Sequence, residues 1–156
     1  MCNEEIEKLA TAIYESYNKK QKLNTVSWAD LPEETREFNR AQARAIKGKV
    51  FDAGFNIDGG ESPFPAIEKF DDETTLFLAK KEHVRWMEEL LSHGWTYAPV
   101  RDNVKKHHPC IVPFEELSDE EKQKDIDVID NIIPLLKSIG LRVYRDFSYT
   151  CVLNGN

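Results

Sequence analysis

Residues 94–110, GWTYAPVRDNVKKHHPC, gather side chains that could bind a ligand. Trp95 and Tyr97 alternate along an extended segment, so their rings point to the same side and could stack on a planar group. The alternative is that both rings belong to the core and lock the segment onto neighbouring helices. Arg101 and Lys105 follow, within the densest group of cations in an acidic chain. The segment therefore predicts either an aromatic and cationic binding surface or a structural turn.

Two roles are open for Arg101 and Asp102, which are adjacent in this segment. They could form an ion pair that fixes the turn, as half-buried pairs of this kind do. Alternatively, the guanidinium could bind a phosphate or carboxylate, because its planar fork of N–H donors fits both groups. In either case Arg101 belongs to the cationic group where we expect an anionic ligand to bind.

His107, His108 and Cys110 are residue types that bind zinc. Adjacent histidines, however, point to opposite sides of an extended chain, and no second Cys/His pair stands at ligand spacing. We therefore predict no metal site and keep His108 among the ligand-binding candidates. The sequence has no GxSxG, HExxH, phosphate-binding glycine loop or Cys–His nucleophile pattern, so we expect neither enzyme activity nor a bound cofactor.

The composition limits the class of partner. The chain has 156 residues, of which 40% are hydrophobic and 31% charged, which suits one compact domain or two small halves that share a core. Its net charge of -7 disfavours nucleic-acid polymers and anionic membranes. No apolar run approaches the roughly 20 residues of a membrane span, and the start lacks a signal-peptide pattern. Three cysteines without CxxC spacing fit a reducing compartment, so we expect a soluble, cytoplasmic protein.

Capping signals and apolar spacing predict a mainly helical α+β fold. The four predicted helices cover residues 4–20, Asp30 to Gly54 with a capping box completed by Glu33, Asp72 to Gly94, and Ser118 to Gly140. The predicted apolar side of the third helix consists of Leu76, Ala79, His83, Trp86, Met87, Leu90 and Leu91. FNI, at 55–57, predicts one strand, and the tail LRVYRDFSYTCVL predicts two more.

The sequence also contains a weak internal repeat. A shift of 86 residues places VSWADLPEETREF over VPFEELSDEEKQK and AGFNI over IGLRV without a gap. The shift also pairs Gly48 with Pro134, so both copies carry a helix-weakening residue before the final glycine. We therefore predict two pseudo-symmetric helix-loop-helix repeats, at 1–60 and 71–156, joined by a linker at 61–70 into one compact domain.

The second half of the chain resembles a known module. The stretch from EHVRWMEELLSHGWTYAPVRDNVKKHHPCIVPFEELSDEEK to LLKSIGLRV is similar to the ryanodine-receptor (RyR) repeat, which occurs in tandem pairs in calcium channels and also in bacterial proteins. WADLPEETREFNRAQARAI resembles the degenerate partner repeat of bacterial members. Two departures are Ala98 in place of a usual glycine and the lack of a GWTY stretch in the first half. The resemblance implies a paired-repeat α+β fold, a recognition role and a structural role for the histidine before the proline.

The resemblance also implies where a ligand would bind. In the channels, the cleft between paired repeats resembles an aromatic-lined adenine-nucleotide site, which leads us to expect a small anionic, nucleotide-like ligand between the repeats here. Asn39 and Arg40 match a polar pair of the family's second helix and could close this site from repeat one, or could lie on a solvated helix face. The alternative function is a protein-interaction module that uses the same aromatic surface.

Overall fold

The computed structural model describes residues 1–21 and 26–146 of the chain, and for residues 20 and 21 it describes the backbone alone. The elements run in the order α1 Asn3–Gln21, a 3-10 turn Trp28–Asp30, α2 Glu33–Asp52, β1 Asn56–Asp58, α3 Asp72–Ser92, β2 Thr96–Tyr97, β3 His107–His108, a 3-10 turn Phe114–Glu116, α4 Asp119–Asp130, α5 Ile132–Ser138 and β4 Arg142–Tyr144. The prediction of a mainly helical α+β fold is confirmed. Within these residues, no helix combines the length and apolar character that a membrane crossing needs.

The first compact unit comprises Met1–Lys69 together with Ile132–Asn156. In it α1 packs against α2 and α5, and β1 pairs with β4 as an antiparallel ribbon in which Ile57 faces Val143. The largest fully buried side chains of this unit are aliphatic, and they come from the core-facing side of each of these helices and from β4. They include Leu9, Ile46, Val50, Ile132, Leu136 and Val143.

The second compact unit comprises Phe70–Asn131 and carries residues 94–110. Here α3 packs against α4 and the 3-10 turn at Phe114–Glu116, while β2 and β3 pair in parallel. Its core consists of Phe70, Leu78, Ala79, Leu90, Phe114, Leu117 and Ile129. This unit is shorter than the predicted second repeat, because α5 and β4 pack with elements of the first unit.

The predicted start of the second helix is wrong. Asp30 does not cap α2 but lies in a 3-10 turn, where its carboxylate accepts a hydrogen bond from the Ser27 hydroxyl. Leu31 is extended, with φ −69° and ψ 148°, because the ring of Pro32 disfavours a helical residue before it. The helix therefore begins only at Glu33, after the proline.

The predicted fourth helix is two helices. Its capped start is confirmed, since the Ser118 hydroxyl accepts from the amide of Glu121 at 3.2 Å. The helix is interrupted at Asn131 and resumes at Ile132, because Pro134 has no amide hydrogen to donate to the preceding turn. Gly48, by contrast, leaves α2 continuous.

The predicted glycine stops are confirmed by their backbone angles. Gly54, Gly94 and Gly140 follow α2, α3 and α5 with φ of 89°, 86° and 84°. This left-handed conformation costs a side-chain-bearing residue free energy, so glycine is the residue that ends a helix there. Of the two tail strands, one is β4, whereas the other falls beyond residue 146 and lies outside the described residues.

Candidate functional site

The 94–110 loop starts from the end of α3. The left-handed Gly94 turns the chain, and the amide of Trp95 then donates to the carbonyl of Leu90 at 3.0 Å. This bond satisfies one of the last carbonyls of the helix and fixes the direction in which Trp95 leaves it. The sequence GW thus joins a rigid helix directly to the candidate site.

Two backbone pairings hold the loop closed. The amide of Thr96 donates to the carbonyl of Lys106 at 2.9 Å, at the start of the parallel β2–β3 pair. Asp102 and His107 exchange backbone hydrogen bonds of 3.0 and 2.9 Å. Because these bonds fasten both ends of the intervening turn, the loop has a defined shape although its strands have only two residues each.

The carboxylate of Asp102 shapes the turn itself. Its Oδ1 accepts hydrogen bonds from the amides of Val104 and Lys105, each at 3.0 Å. Arg101 does not engage this carboxylate in the structure but donates from Nε to the side-chain oxygen of Asn103 at 3.0 Å. The turn is therefore fixed by Asp102 and the backbone, and the predicted ion pair with Arg101 is not the device that holds it.

Lys106 has a structural role that its position in the cationic group did not suggest. Its backbone is left-handed, with φ 57°, and its Nζ donates to the carbonyl of His93 at 2.7 Å. A cation at this carbonyl interacts favourably with the negative end of the α3 dipole. Arg101 and Lys105 are the two exposed cations that remain for a partner in this turn.

His108 lies at the centre of the predicted site residues. Its half-buried ring is in T-shaped contact with the ring of Trp86, with centroids 4.9 Å apart and planes at 81°, and its centroid lies 6.2 Å from that of Trp95. Its backbone pairs in register with Tyr97. Its Nδ1 accepts from the amide of Cys110 at 3.1 Å, so the other nitrogen carries the proton of the neutral ring.

The electrostatics around His108 bring Arg101 into the same group. Burial, followed by the positive charge of Arg101, lowers the pKa of His108, which keeps the imidazole neutral at physiological pH. Neighbouring Cys110 is affected in the opposite sense, because burial and the carboxylate of Glu121 raise the pKa of its thiol. The site thus contains an imidazole that is held neutral and a thiol that is held protonated.

The outer part of the loop is exposed. Tyr97 is 55% exposed, Val100 75% and Val104 94%, and Arg101 and Lys105 are exposed as well. Trp95 is half-buried beside His108 and is therefore partly a packing residue. The loop accordingly has an aromatic base around His108 and an exposed tip that carries two valines and two cations.

Asn39 and Arg40, the two candidates from the first half, lie on α2 in the first unit. Asn39 donates to the carbonyl of Thr35 in its own helix. Arg40 donates to the carboxylates of Glu7 at 2.8 Å and of Glu33, and its guanidinium lies 5.9 Å from the ring centre of Trp28. Its charge is thus matched within its own unit, and its predicted contact with a ligand stays a prediction.

Sequence reasoning missed Trp86 as a site residue. Trp86 was assigned to the apolar side of α3, yet its ring is also in T-shaped contact with that of His108, with centroids 4.9 Å apart. The signal was present, because Trp86 lies nine residues before Trp95 on the helix that leads into the loop. Among the described residues, no group of three or more His, Cys, Asp or Glu side chains could hold a metal ion.

Comparison with protein families assigns the region that contains this site. The model of the RyR domain matches residues 66–145, which is just over half of the chain. The match includes the whole second unit with its 94–110 loop, and also α5 and β4. The resemblance of the GWTY segment is thereby confirmed, and the chain belongs to the RyR domain family.

Proposed function

We propose that this RyR domain is a recognition module whose 94–110 loop binds a small anionic ligand with a planar ring, such as a nucleotide. The observation that carries the proposal is the grouping around His108: the Trp95 ring lies 6.2 Å away, Tyr97 is its strand partner, and the charge of Arg101 acts on its imidazole. Aromatic surface and positive charge therefore stand together on one short, hydrogen-bonded loop.

Aromatic stacking is assigned mainly to Tyr97. Its ring is 55% exposed, so a planar group can reach it without displacing core contacts. Trp95 offers less open surface than Tyr97, because it is half-buried and lies beside His108. The neutral His108 offers an N–H donor that could meet a carbonyl or ring nitrogen of the ligand.

Anion recognition is assigned to Arg101 and Lys105. Both are exposed, whereas the carboxylate of the intervening Asp102 is occupied by two backbone amides. A phosphate at the loop would therefore meet two cations, beside an Asp102 carboxylate of which one oxygen already accepts from the backbone. In a chain of net charge -7, such a local cluster also directs an anion to this surface rather than elsewhere.

The same contacts favour recognition over catalysis. Asp102 is used to build the turn, His108 accepts a backbone amide at Nδ1, and the Cys110 thiol is held protonated. A general base or nucleophile needs a titratable group poised near neutral pH and directed at a substrate. We therefore propose a binding role without a chemical step.

Calorimetric titration of the whole chain tests the proposal. ATP, ADP-ribose and a cyclic dinucleotide are titrated beside adenosine, so that ring stacking and charge recognition are measured separately. We expect the anionic compounds to bind, with Arg101→Gln weakening binding about tenfold and Tyr97→Ala about fivefold. Tyr17→Ala and Arg44→Gln are matched controls, because both lie in the first unit and are about as exposed, at 59% and 50%. Absence of heat for all four compounds, or equal loss in the controls, contradicts the proposal.

A second candidate function is supported by the valines at the loop tip. Val100 and Val104 are 75% and 94% exposed and lie beside Arg101 and Lys105. Apolar and cationic side chains together suit contact with a protein whose surface is acidic and partly apolar. A Val104→Ser variant separates the two functions. Nucleotide binding should be unchanged, whereas capture of a protein partner by the immobilised domain should be lost.

The tandem repeat is part of the proposal. Trp28 and Phe114, Glu33 and Asp119, and Asn56 and Arg142 begin corresponding elements, and the members of each pair are 86 residues apart. Asp52 and Ser138, which end the corresponding helices, have the same separation. In the β1–β4 ribbon Ile57 faces Val143, its own counterpart, as expected of two copies related by a local twofold. These bounds support a duplicated origin in which only the second copy carries a GWTY loop.

A further inference from the structure

The outer side of α3 carries an apolar stripe of which about half is exposed in the described part of the chain. Phe77, Val84 and Leu91 stand seven residues apart and are 45%, 48% and 51% exposed. The predicted burial of Leu76 and Leu91 is wrong, since they are 43% and 51% exposed. The buried side of α3 instead consists of Thr75, Leu78, Ala79, Glu82, His83 and Leu90.

Seven-residue spacing has a geometric meaning on a helix. Residues at i, i+7 and i+14 stay nearly in line along the axis, about 10 Å apart, which is the arrangement that seams two packed helices. Within the described part of the second unit, α4 and the 3-10 turn at Phe114–Glu116 pack on α3, and its buried residues lie on the other side. The stripe is therefore a second, separate packing surface of the same helix.

The charges beside the stripe indicate which partner fits it. Lys81 and Glu88 are exposed and are themselves seven residues apart, each four residues after a stripe residue. If a second α3 lies antiparallel with the twofold axis at Val84, Phe77 faces Leu91 of the other copy and Lys81 faces Glu88 of the other copy. In a parallel twofold pair this flank of the two helices would lie on opposite sides of the seam, so Lys81 of one copy could not reach Glu88 of the other.

We propose that α3 docks antiparallel against α3 of a second copy of this chain, with Val84 on the axis and two reciprocal Lys81–Glu88 ion pairs. The Lys81 ammonium lies 5.2 Å from the centre of its own Phe77 ring, so its stem covers the edge of the stripe. Because each copy contributes only three apolar side chains, we expect the interface to bury less than the roughly 1,200 Å² of total area that stable interfaces need. The dimer is therefore reversible and depends on protein concentration.

Sedimentation velocity over a wide range of protein concentration tests this interface. The unchanged chain should shift from monomer to dimer as concentration rises. Val84→Glu should weaken the dimer at least tenfold, because the new carboxylates of the two copies would face each other at the twofold axis. Val104→Glu is the matched control, since it makes the same substitution at a 94% exposed site in the 94–110 loop and should leave the dimer intact. A chain that stays monomeric throughout, or a dimer that Val84→Glu leaves unchanged, overturns the proposal.

Charge exchange tests the register. Lys81→Glu should weaken the dimer several-fold, and the double variant Lys81→Glu, Glu88→Lys should restore it, because the reciprocal pairs are rebuilt with their signs exchanged. Failure of the double variant to recover the dimer contradicts the assigned pairs.

Cysteine cross-linking tests the orientation in a chain whose Cys2, Cys110 and Cys151 are replaced by serine. Val84→Cys should form a disulfide between copies on mild oxidation, since the two residues meet at the axis. Phe77→Cys should not, because in the antiparallel pair it is about 20 Å from its own counterpart. A Phe77→Cys cross-link as strong as that of Val84→Cys would show a parallel pair and overturn the proposal.

Discussion

His83 of α3 and Asp125 of α4 lie 3.4 Å apart, measured from Nδ1 to a carboxylate oxygen, with the histidine side chain only 3% exposed. The other ring nitrogen lies 2.7 Å from the carbonyl oxygen of Val112. Because both nitrogens face acceptors, the protonated ring suits this position. Burial lowers the pKa of His83, but the hydrogen bonds to Asp125 and Val112 outweigh it and leave the pKa raised.

Stability should therefore depend on the protonation of His83. The pKa of His83 in the folded state lies above the unfolded value of about 6.5. The free energy that its protonation adds to stability is therefore complete below about pH 6.5 and is lost as the pH rises through the folded-state pKa. We expect the unfolding free energy of the native chain, measured with urea, to fall over this window relative to a His83→Gln variant. A difference between the two chains that is constant with pH would contradict a protonated His83.

His108 provides an internal comparison of opposite sign. Its pKa is lowered by burial and by Arg101, so its contribution to stability is lost as pH falls below about 6.5. An NMR titration of the four histidines resolves the two effects, with His83 titrating above and His108 below that value. The reverse order would be incompatible with the contacts of both rings.

The ion pair between Glu82 and Arg85 should be a stability determinant of the second unit. The two side chains are only 4% and 22% exposed, and Arg85 donates to both carboxylate oxygens of Glu82, at 3.0 and 2.9 Å. Glu82→Ala leaves a largely buried guanidinium without its main partner and should cost about 3 kcal/mol in urea unfolding. The exposed Glu4–Lys8 pair is the control, and Glu4→Ala should have no measurable effect.

Local sequence rules predicted three helix stops correctly, although the start of α2 and the break between α4 and α5 were missed. Helix stops at Gly54, Gly94 and Gly140 follow from one residue's backbone freedom, which does not depend on the rest of the fold. Pro134 was recognised as helix-weakening, but the full break at Asn131 was not predicted. The exposure of Leu91 was not predicted because it depends on what packs against α3. A leucine at helical spacing does not reveal which of two apolar sides faces the core.

The candidate site could be located from sequence but not assembled. The GWTY segment identified Trp95, Tyr97 and Arg101, yet the role of His108 as their common neighbour depends on the parallel pairing of β2 with β3. Two-residue strands leave no periodic signal. The structural role of Lys106 could not be predicted either, because the α3 carbonyl it contacts, that of His93, lies thirteen residues earlier in the chain.

The loop's shape should depend on one oxygen of Asp102. Asp102→Ala removes the acceptor of the Val104 and Lys105 amides, so each amide should exchange with deuterium about fivefold faster, which corresponds to a lost hydrogen bond of about 1 kcal/mol. Asp102→Asn keeps a side-chain oxygen at the same position and should largely preserve protection. If Asn and Ala accelerate exchange equally, the charge rather than the acceptor geometry holds the turn.

Two glycines at open positions should respond to alanine with opposite signs. Gly48 lies inside α2 and Gly140 follows α5 with φ 84°, and an added Cβ would meet no heavy atom within 4 Å at either site. The added methyl group thus makes no packing contact at either site, and the two variants differ only in the backbone conformation that alanine must adopt. Gly48→Ala should stabilise the chain by about 1 kcal/mol, because alanine is the better helix former. Gly140→Ala should destabilise it by about 1 kcal/mol, because alanine resists the left-handed conformation. Urea unfolding of the two variants measures both effects, and changes of the same sign would mean that the helical position of Gly48 or the left-handed turn at Gly140 is not maintained in solution.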